Sequence, residues 1–167
     1  DNKGPGLWTD INNLRTLYEG NRVINNYGPG INHEVSYDAV IRNNIAEGNG
    51  FGWTGWVDGA GILVDTSPNV EVYGNTVRYN NDGIAGIHRF RDDAATAKYG
   101  PWALQNLGVH DNIIVMNDGQ TGVVTNTTAP VFTSSWNNRF DLNTYTLGSG
   151  EQYYRWQVRI LATTEWQ

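Results

Sequence analysis

Three carboxylates hold the same place in three similar phrases. GLWTDIN (6–12), GINHEVS (30–36) and GILVDTS (61–67) each open on Gly and an aliphatic residue. Each carries an acid four residues after that Gly: Asp10, Glu34 and Asp65. If the phrases are strands, side chains alternate between faces, and the acids fall opposite Leu7, Ile31 and Ile62. They then point outward and stack in one column at the inter-strand spacing of about 4.8 Å. Carboxylates that close repel, so at least one is expected to hold its proton more tightly unless a cation sits among them. Adjacent acids suit a retaining glycosidase pair, at about 5 Å. The outer two, about 9.5 Å apart, approach the upper limit for an inverting pair. In either case one acid donates to the leaving oxygen, and Glu34, central and most crowded, is the residue expected to do so. The same column could supply oxygen ligands to Ca²⁺, although no cofactor is required. A solvated acidic ladder without chemistry is the plain alternative.

Two segments fall outside the repeating pattern beside these acids. FGWTGWVDGA (51–60) precedes the Asp65 strand, and RFRDDAATAKYGPWALQN (89–106) follows GIAGIHR, where Ile87 takes the column position; the fifth phrase is expected to place Asn126 there. Insertions on a stacked repeat commonly build a binding surface on one face. Trp8, Trp53, Trp56, Tyr99 and Trp102 are thus expected to offer flat faces to sugar rings, with Arg89 and Arg91 as polar contacts. His88 and Lys98 are further basic candidates. The ordinary alternative is that part of this aromatic set packs the loops against the wall. His33 alternates inward, between Thr9 and Val64, and reads as a buried, hydrogen-bonded histidine. Asp38 reads as a turn cap, Asp92-Asp93 as a solvated charge run, and Asn126-Thr127-Thr128 as a chance match to the glycosylation sequon.

The elements that must position these residues come from a repeat. LYEGNRVINN, VIRNNIAEGN, EVYGNTVRYN and GVHDNIIVMN each contain two Asn residues five apart: Asn21/Asn26, Asn44/Asn49, Asn75/Asn80 and Asn112/Asn117. NNRFDLN gives a weaker fifth copy with Asn138 and Asn143. The steps between first Asn residues are 23, 31, 37 and 26. Short alternating strands and Gly/Asn turns on a coil of about 23 residues predict an all-β parallel β-helix, a solenoid of about five coils. The Asn residues should stack in the turns, each amide donating to one coil and accepting from the other.

The run GPGLWTDIN…GINHEVSYDAVIRNN…GAGILVDTSPNVEVYGNTV resembles bacterial extracellular β-helix proteins of the pectate-lyase-like superfamily, over about residues 4–126. The resemblance implies a right-handed winding and an extracellular, secreted protein acting on carbohydrate. Glycosidic cleavage by Asp10, Glu34 and Asp65 is the preferred activity. A Ca²⁺-dependent polysaccharide lyase and a non-catalytic glycan-binding or self-assembling β-helix segment are the alternatives. Residues 1–147 are assigned to the coils and 148–167 to an irregular C-terminal cover. Asn2 precedes Gly6 as Asn26 precedes Gly30, so the sequence opens midway through a coil. We therefore expect a fragment of a longer β-helix, or a piece that stacks with another chain.

Composition narrows the partners. A formal charge of −6 argues against a protein that tracks nucleic-acid phosphates, and it leaves a polysaccharide or oligosaccharide open. No apolar run reaches the roughly 18 residues of a membrane span. The absence of Cys removes thiolate metal sites and a Cys nucleophile.

Overall fold

The computed structural model describes residues 2–91, 96–125 and 135–166; Asp92, Asp93 and Asn126 lie outside them. Short strands wind into three sheets. The first contains β1 (Leu7–Thr9), β4 (Ile31–Glu34), β7 (Ala60–Asp65), β10 (Asp82–His88), β13 (Thr121–Thr125), β16 (Tyr154–Trp156) and β17 (Arg159–Leu161), in that order. The second runs β2 (Leu17–Glu19), β5 (Ala39–Arg42), β8 (Val70–Tyr73), β11 (Leu107–His110), β14 (Arg139–Asp141). The third runs β3 (Arg22–Ile24), β6 (Ile45–Glu47), β9 (Thr76–Arg78), β12 (Ile113–Met116), β15 (Thr144–Leu147). Every third strand is thus a neighbour in space. All pairings are parallel except β16 with β17. This is the parallel β-helix that the repeat predicts.

Like residues stack inside the coil because the register places them there. Leu7, Ile31, Ile62 and Ile84 form one inner column, Tyr18, Ile41, Val72 and Val109 a second, and Val23, Ala46, Val77 and Ile114 a third. Nearly all are fully buried and belong to one continuous core. Each large aliphatic contributes on the order of 1.5–3 kcal/mol by leaving water.

The turns are held by amides. Asn21, Asn44, Asn75, Asn112 and Asn143 form one ladder, in which both the backbone N–H and Nδ2 of each rung donate to Oδ1 of the next. Asn26, Asn49 and Asn80 form a second. Two expectations are corrected here. Asn143, not Asn138, is the rung after Asn112, because Ile113 pairs with Thr144. Asn117 is exposed and outside the second ladder; the connection before β13 is tied instead by Asp82, whose Oδ1 accepts from Gln120 N–H at 2.9 Å. A further ladder was not anticipated. Asp38, Asn69, Asn106 and Asn137 all have positive φ, between 51° and 58°, and link side chain to side chain on the outside. Asp and Asn tolerate that left-handed conformation better than other L-residues. Asp38 therefore accepts from Asn69 Nδ2 at 2.9 Å.

The C-terminal segment adds one more parallel strand, β16, before the chain reverses into β17 and the short helix α1 (Thr163–Trp166). Trp166 stacks on Tyr154 at 4.7 Å and meets Phe140 edge-on, and both rings pack against the main core.

Two buried titratable groups are tuned in opposite senses. His33 points inward as expected, with Nδ1 2.8 Å from Thr9 Oγ1, and burial pulls its pKa down to about 4. Its neutral form supports the fold fully above pH 6.5, and that support is lost as pH falls toward 4. Burial pushes Asp82 up to about 6, so its carboxylate costs stability at neutral pH, a cost relieved as pH falls from about 6 toward 3.8. Each contribution is about 3 kcal/mol, and the windows overlap. Urea midpoints of the wild type should therefore change little between about pH 6 and 4.5, so far as these two groups decide it. Asp82→Asn should lose stability over that interval and His33→Leu should gain it.

Candidate active site

Strand register builds the acidic column. Glu34 pairs with Asp65, and Asp65 with Ile87. Thr9 pairs with His33, so Asp10 leaves β1 beside Glu34. All three acids point out of the solenoid. The column then turns apolar at Ile87 and Val124, which are paired; this replaces the expected Asn126. The Gly four residues before Asn126 is Gly122. It pairs with Ala85 and has φ +122°, and an added Cβ would meet the Arg155 carbonyl oxygen. It serves that close approach and does not open a phrase.

Burial is graded along the column. Asp10 is exposed, Glu34 is half-buried and Asp65 is only 4% exposed. The gradient comes from the two insertions. Val57 seals the outer wall over Leu63, Ala85, Ile87 and Val124 in a small apolar cluster. Arg89, just after β10, reaches back to Asp65, with Nε 2.8 Å from Oδ2, and to Asp58 in the first insertion. Its guanidinium also lies 5.3 Å from the Trp56 ring centroid. Thr66 donates to the other Asp65 oxygen at 2.7 Å. Arg91 donates to Glu34 Oε1 at 2.7 Å and lies 3.8 Å from Asp65. Asn32, on the same outer face, donates weakly to Glu34 Oε2 at 3.3 Å.

The electrostatics single out Glu34. Burial pushes its pKa up, the charges of Asp65 and Asp10 push it further, and Arg91 opposes both. Asp58 is also raised, first by burial and against the pull of Arg89. An acid with a raised pKa thus sits between a buried neighbour and an exposed one.

The expected aromatic set divides. Trp8 is 53% exposed and pairs in register with Asn32, so it stands on the outer face beside Asp10. Trp56 is exposed above Arg89. Tyr99 is exposed and meets Tyr37 edge-on. Trp53 is half-buried in a turn closed by its N–H on the Gly50 carbonyl. Trp102 is corrected: it is buried against Val35 and Tyr37 and is wall packing, not a platform for a ligand. His88 is buried too, its Nδ1 accepting from Leu104 N–H and its ring edge-on to Trp136, so it is no free base. Lys98 donates its backbone N–H to Asn12 Oδ1.

Sequence reasoning missed Asp58, Thr66 and Asn32. Asn32 was within reach, since a residue two before Glu34 on a strand shares its face. Among the described residues, no group of three or more His, Cys, Asp and Glu side chains is arranged to hold a metal ion. The column as built does not fit Ca²⁺, because guanidinium and hydroxyl donors hold the Asp65 oxygens and one Glu34 oxygen.

Arg89 is expected to matter for stability. Arg89→Ala leaves the Asp65 carboxylate buried with the Thr66 hydroxyl on one oxygen and Arg91 3.8 Å from the other, and breaking a buried ion pair typically costs about 3–5 kcal/mol. A value near the low end, about 3 kcal/mol, is expected, because Arg89 itself is one-third exposed. Urea denaturation measures it, and Asp65→Asn in the same background should restore part of the loss.

Residues 1–97, more than half of the chain, match the family model described as right handed beta helix region. Neither a curated protein nor a solved structure matches the sequence.

Proposed function

We propose that this chain, which belongs to the right-handed β-helix family, is an extracellular carbohydrate-active domain that cleaves glycosidic bonds in a polysaccharide on its outer acidic face. The supporting observation is that Glu34, half-buried and raised in pKa, lies beside exposed Asp10, which directly follows the neighbouring strand β1. A half-buried acid with a raised pKa beside an exposed carboxylate can divide the labour of a retaining glycosidase, whose two acids stand about 5 Å apart. Protonated Glu34 gives its proton to the glycosidic oxygen as the bond to C1 breaks. An Asp10 oxygen bonds to C1. Water then attacks C1, gives its proton to Glu34 and releases Asp10. Trp8 offers a ring face beside the pair. Asp65, too buried to touch a sugar, acts as a positioning residue whose charge raises Glu34.

Elimination is less well supported. A lyase needs a free base, and Arg89 and Arg91 are each held by carboxylates. A bound Ca²⁺ would have to displace those guanidinium groups, so neither calcium nor a chelator is expected to change the rate. Binding without cleavage is a second reading, favoured by the Arg91 contact that ties one Glu34 oxygen. A polysaccharide panel decides among them, with a reducing-end assay and ultraviolet detection of unsaturated ends. Reducing ends that Glu34→Gln fails to produce support hydrolysis. Unsaturated ends support elimination, and retention of polymer without products supports binding alone.

A further inference from the structure

A second surface lies at the opposite corner of the first sheet, where the chain turns into β4, β7 and β10. Three aromatic side chains stand there on consecutive windings: Tyr27 (58% exposed), Phe51 (63%) and Tyr79 (48%). The windings are tied through the backbone, Gly52 N–H to the Tyr27 carbonyl at 2.9 Å and Asn81 N–H to the Asn49 carbonyl at 2.8 Å. Single exposed aromatics are unremarkable on a protein surface, but three in a row along a solenoid edge are not. Tyr27 is held flat over Gly52, where an added Cβ would fall 2.0 Å from the ring. The row ends in a cavity of about 330 Å³ lined by Phe51, Tyr79, Asn81, Asn117 and Asp118. Asn81 is oriented there by donating to Asp82 at 3.0 Å.

We propose that this corner is a binding track for a neutral polysaccharide running along the solenoid axis. Pyranose rings present C–H faces to the aromatic row, while hydroxyl groups meet the amides and the Asp118 carboxylate in the cavity. Windings spaced by about 4.8 Å offer one platform per step of an extended sugar chain. The charge selects the ligand class: among the described residues lining the cavity, Asp118 alone is charged, so a uronate polymer would meet repulsion there. The track does not depend on cleavage at Glu34.

Electrophoresis through gels containing hydroxyethylcellulose, glucomannan or laminarin, with polygalacturonate as the anionic arm, tests this. The protein should be retarded in at least one neutral gel and not in polygalacturonate. Phe51→Ala/Tyr79→Ala should weaken that binding about tenfold or more. Gly52→Ala, which displaces the Tyr27 ring without removing it, should weaken it as well, and Leu17→Ala, the truncation of an exposed apolar side chain on the second sheet, should not. Circular dichroism melts check that each variant is folded. The proposal is overturned by no retardation in any neutral gel, by retardation confined to polygalacturonate, by a folded double variant that binds as well as wild type, or by binding lost equally in Leu17→Ala.

Discussion

Glu34→Gln is expected to lower the cleavage rate by about 10²–10⁴-fold while leaving the fold intact, because it removes the proton donor and keeps the shape. Asp10→Asn should cost at least as much, since it removes the group that forms the covalent bond. The pH profile gives a finer readout. Glu34 acts protonated, so activity should fall as pH rises through its pKa, which burial and the Asp65 and Asp10 charges place above the ordinary glutamate range. Arg91 is the main opposing influence, so Arg91→Ala should carry the alkaline limb to higher pH. Asp65→Asn removes a charge that raises Glu34 and should carry the limb lower. Opposite movements from two neighbouring side chains of opposite charge would be hard to obtain if Glu34 were not the titrating acid. Full activity in Glu34→Gln would remove it from the mechanism.

The columns were legible because they obey a period. Gly-aliphatic phrases and paired Asn residues recur at the coil length, and parallel stacking turns each recurrence into a vertical row: the inner aliphatics, the Asn21 ladder and the acids. Where a copy offers two equivalent signals, the period alone does not choose between them. Asn138 and Asn143 are five residues apart, as are the two Asn residues of every true coil, so the fifth copy can be set one rung out. The charge pairing was not legible. Arg89 and Arg91 lie in an insertion whose path no repeat dictates, and only the fold brings them back over β4 and β7. Trp102 failed for the same reason. An aromatic residue in a loop packs inward or stands free according to what lies beneath it, and Val35 and Tyr37 lie beneath Trp102. The expected repulsion within the column is real for Glu34, but the partners that relieve it at Asp65 come from outside the repeat.

The Asn ladder carries the largest expected effect on stability, and the effect should depend on position. Asn75 Oδ1 accepts from both Asn44 N–H (2.9 Å) and Asn44 Nδ2 (3.0 Å), while its Nδ2 donates to the Ile41 carbonyl (2.9 Å) and to Asn112 Oδ1 (2.9 Å). It is 1% exposed, so water cannot replace it. Asn75→Ala strands the Asn44 N–H in the interior at about 1–3 kcal/mol, removes the amide bonds to Asn44 Nδ2, the Ile41 carbonyl and Asn112 Oδ1 at about 0.5–1.5 kcal/mol each, and opens a small void besides. A loss of about 4 kcal/mol is expected, a large part of the stability of a domain this size. Asn21, at the end of the same ladder, is half-buried and donates to Asn44 without being needed as an acceptor by a further rung. Its replacement by Ala should cost only about 1 kcal/mol. Because each winding contacts only its neighbours, a cut at Asn75 also uncouples the windings on either side. Urea unfolding of Asn75→Ala should therefore show a shallower transition as well as a lower midpoint, while Asn21→Ala lowers the midpoint slightly and keeps the slope. Equal losses at the two positions would mean that the rungs act independently and that the turns are held by the strands alone.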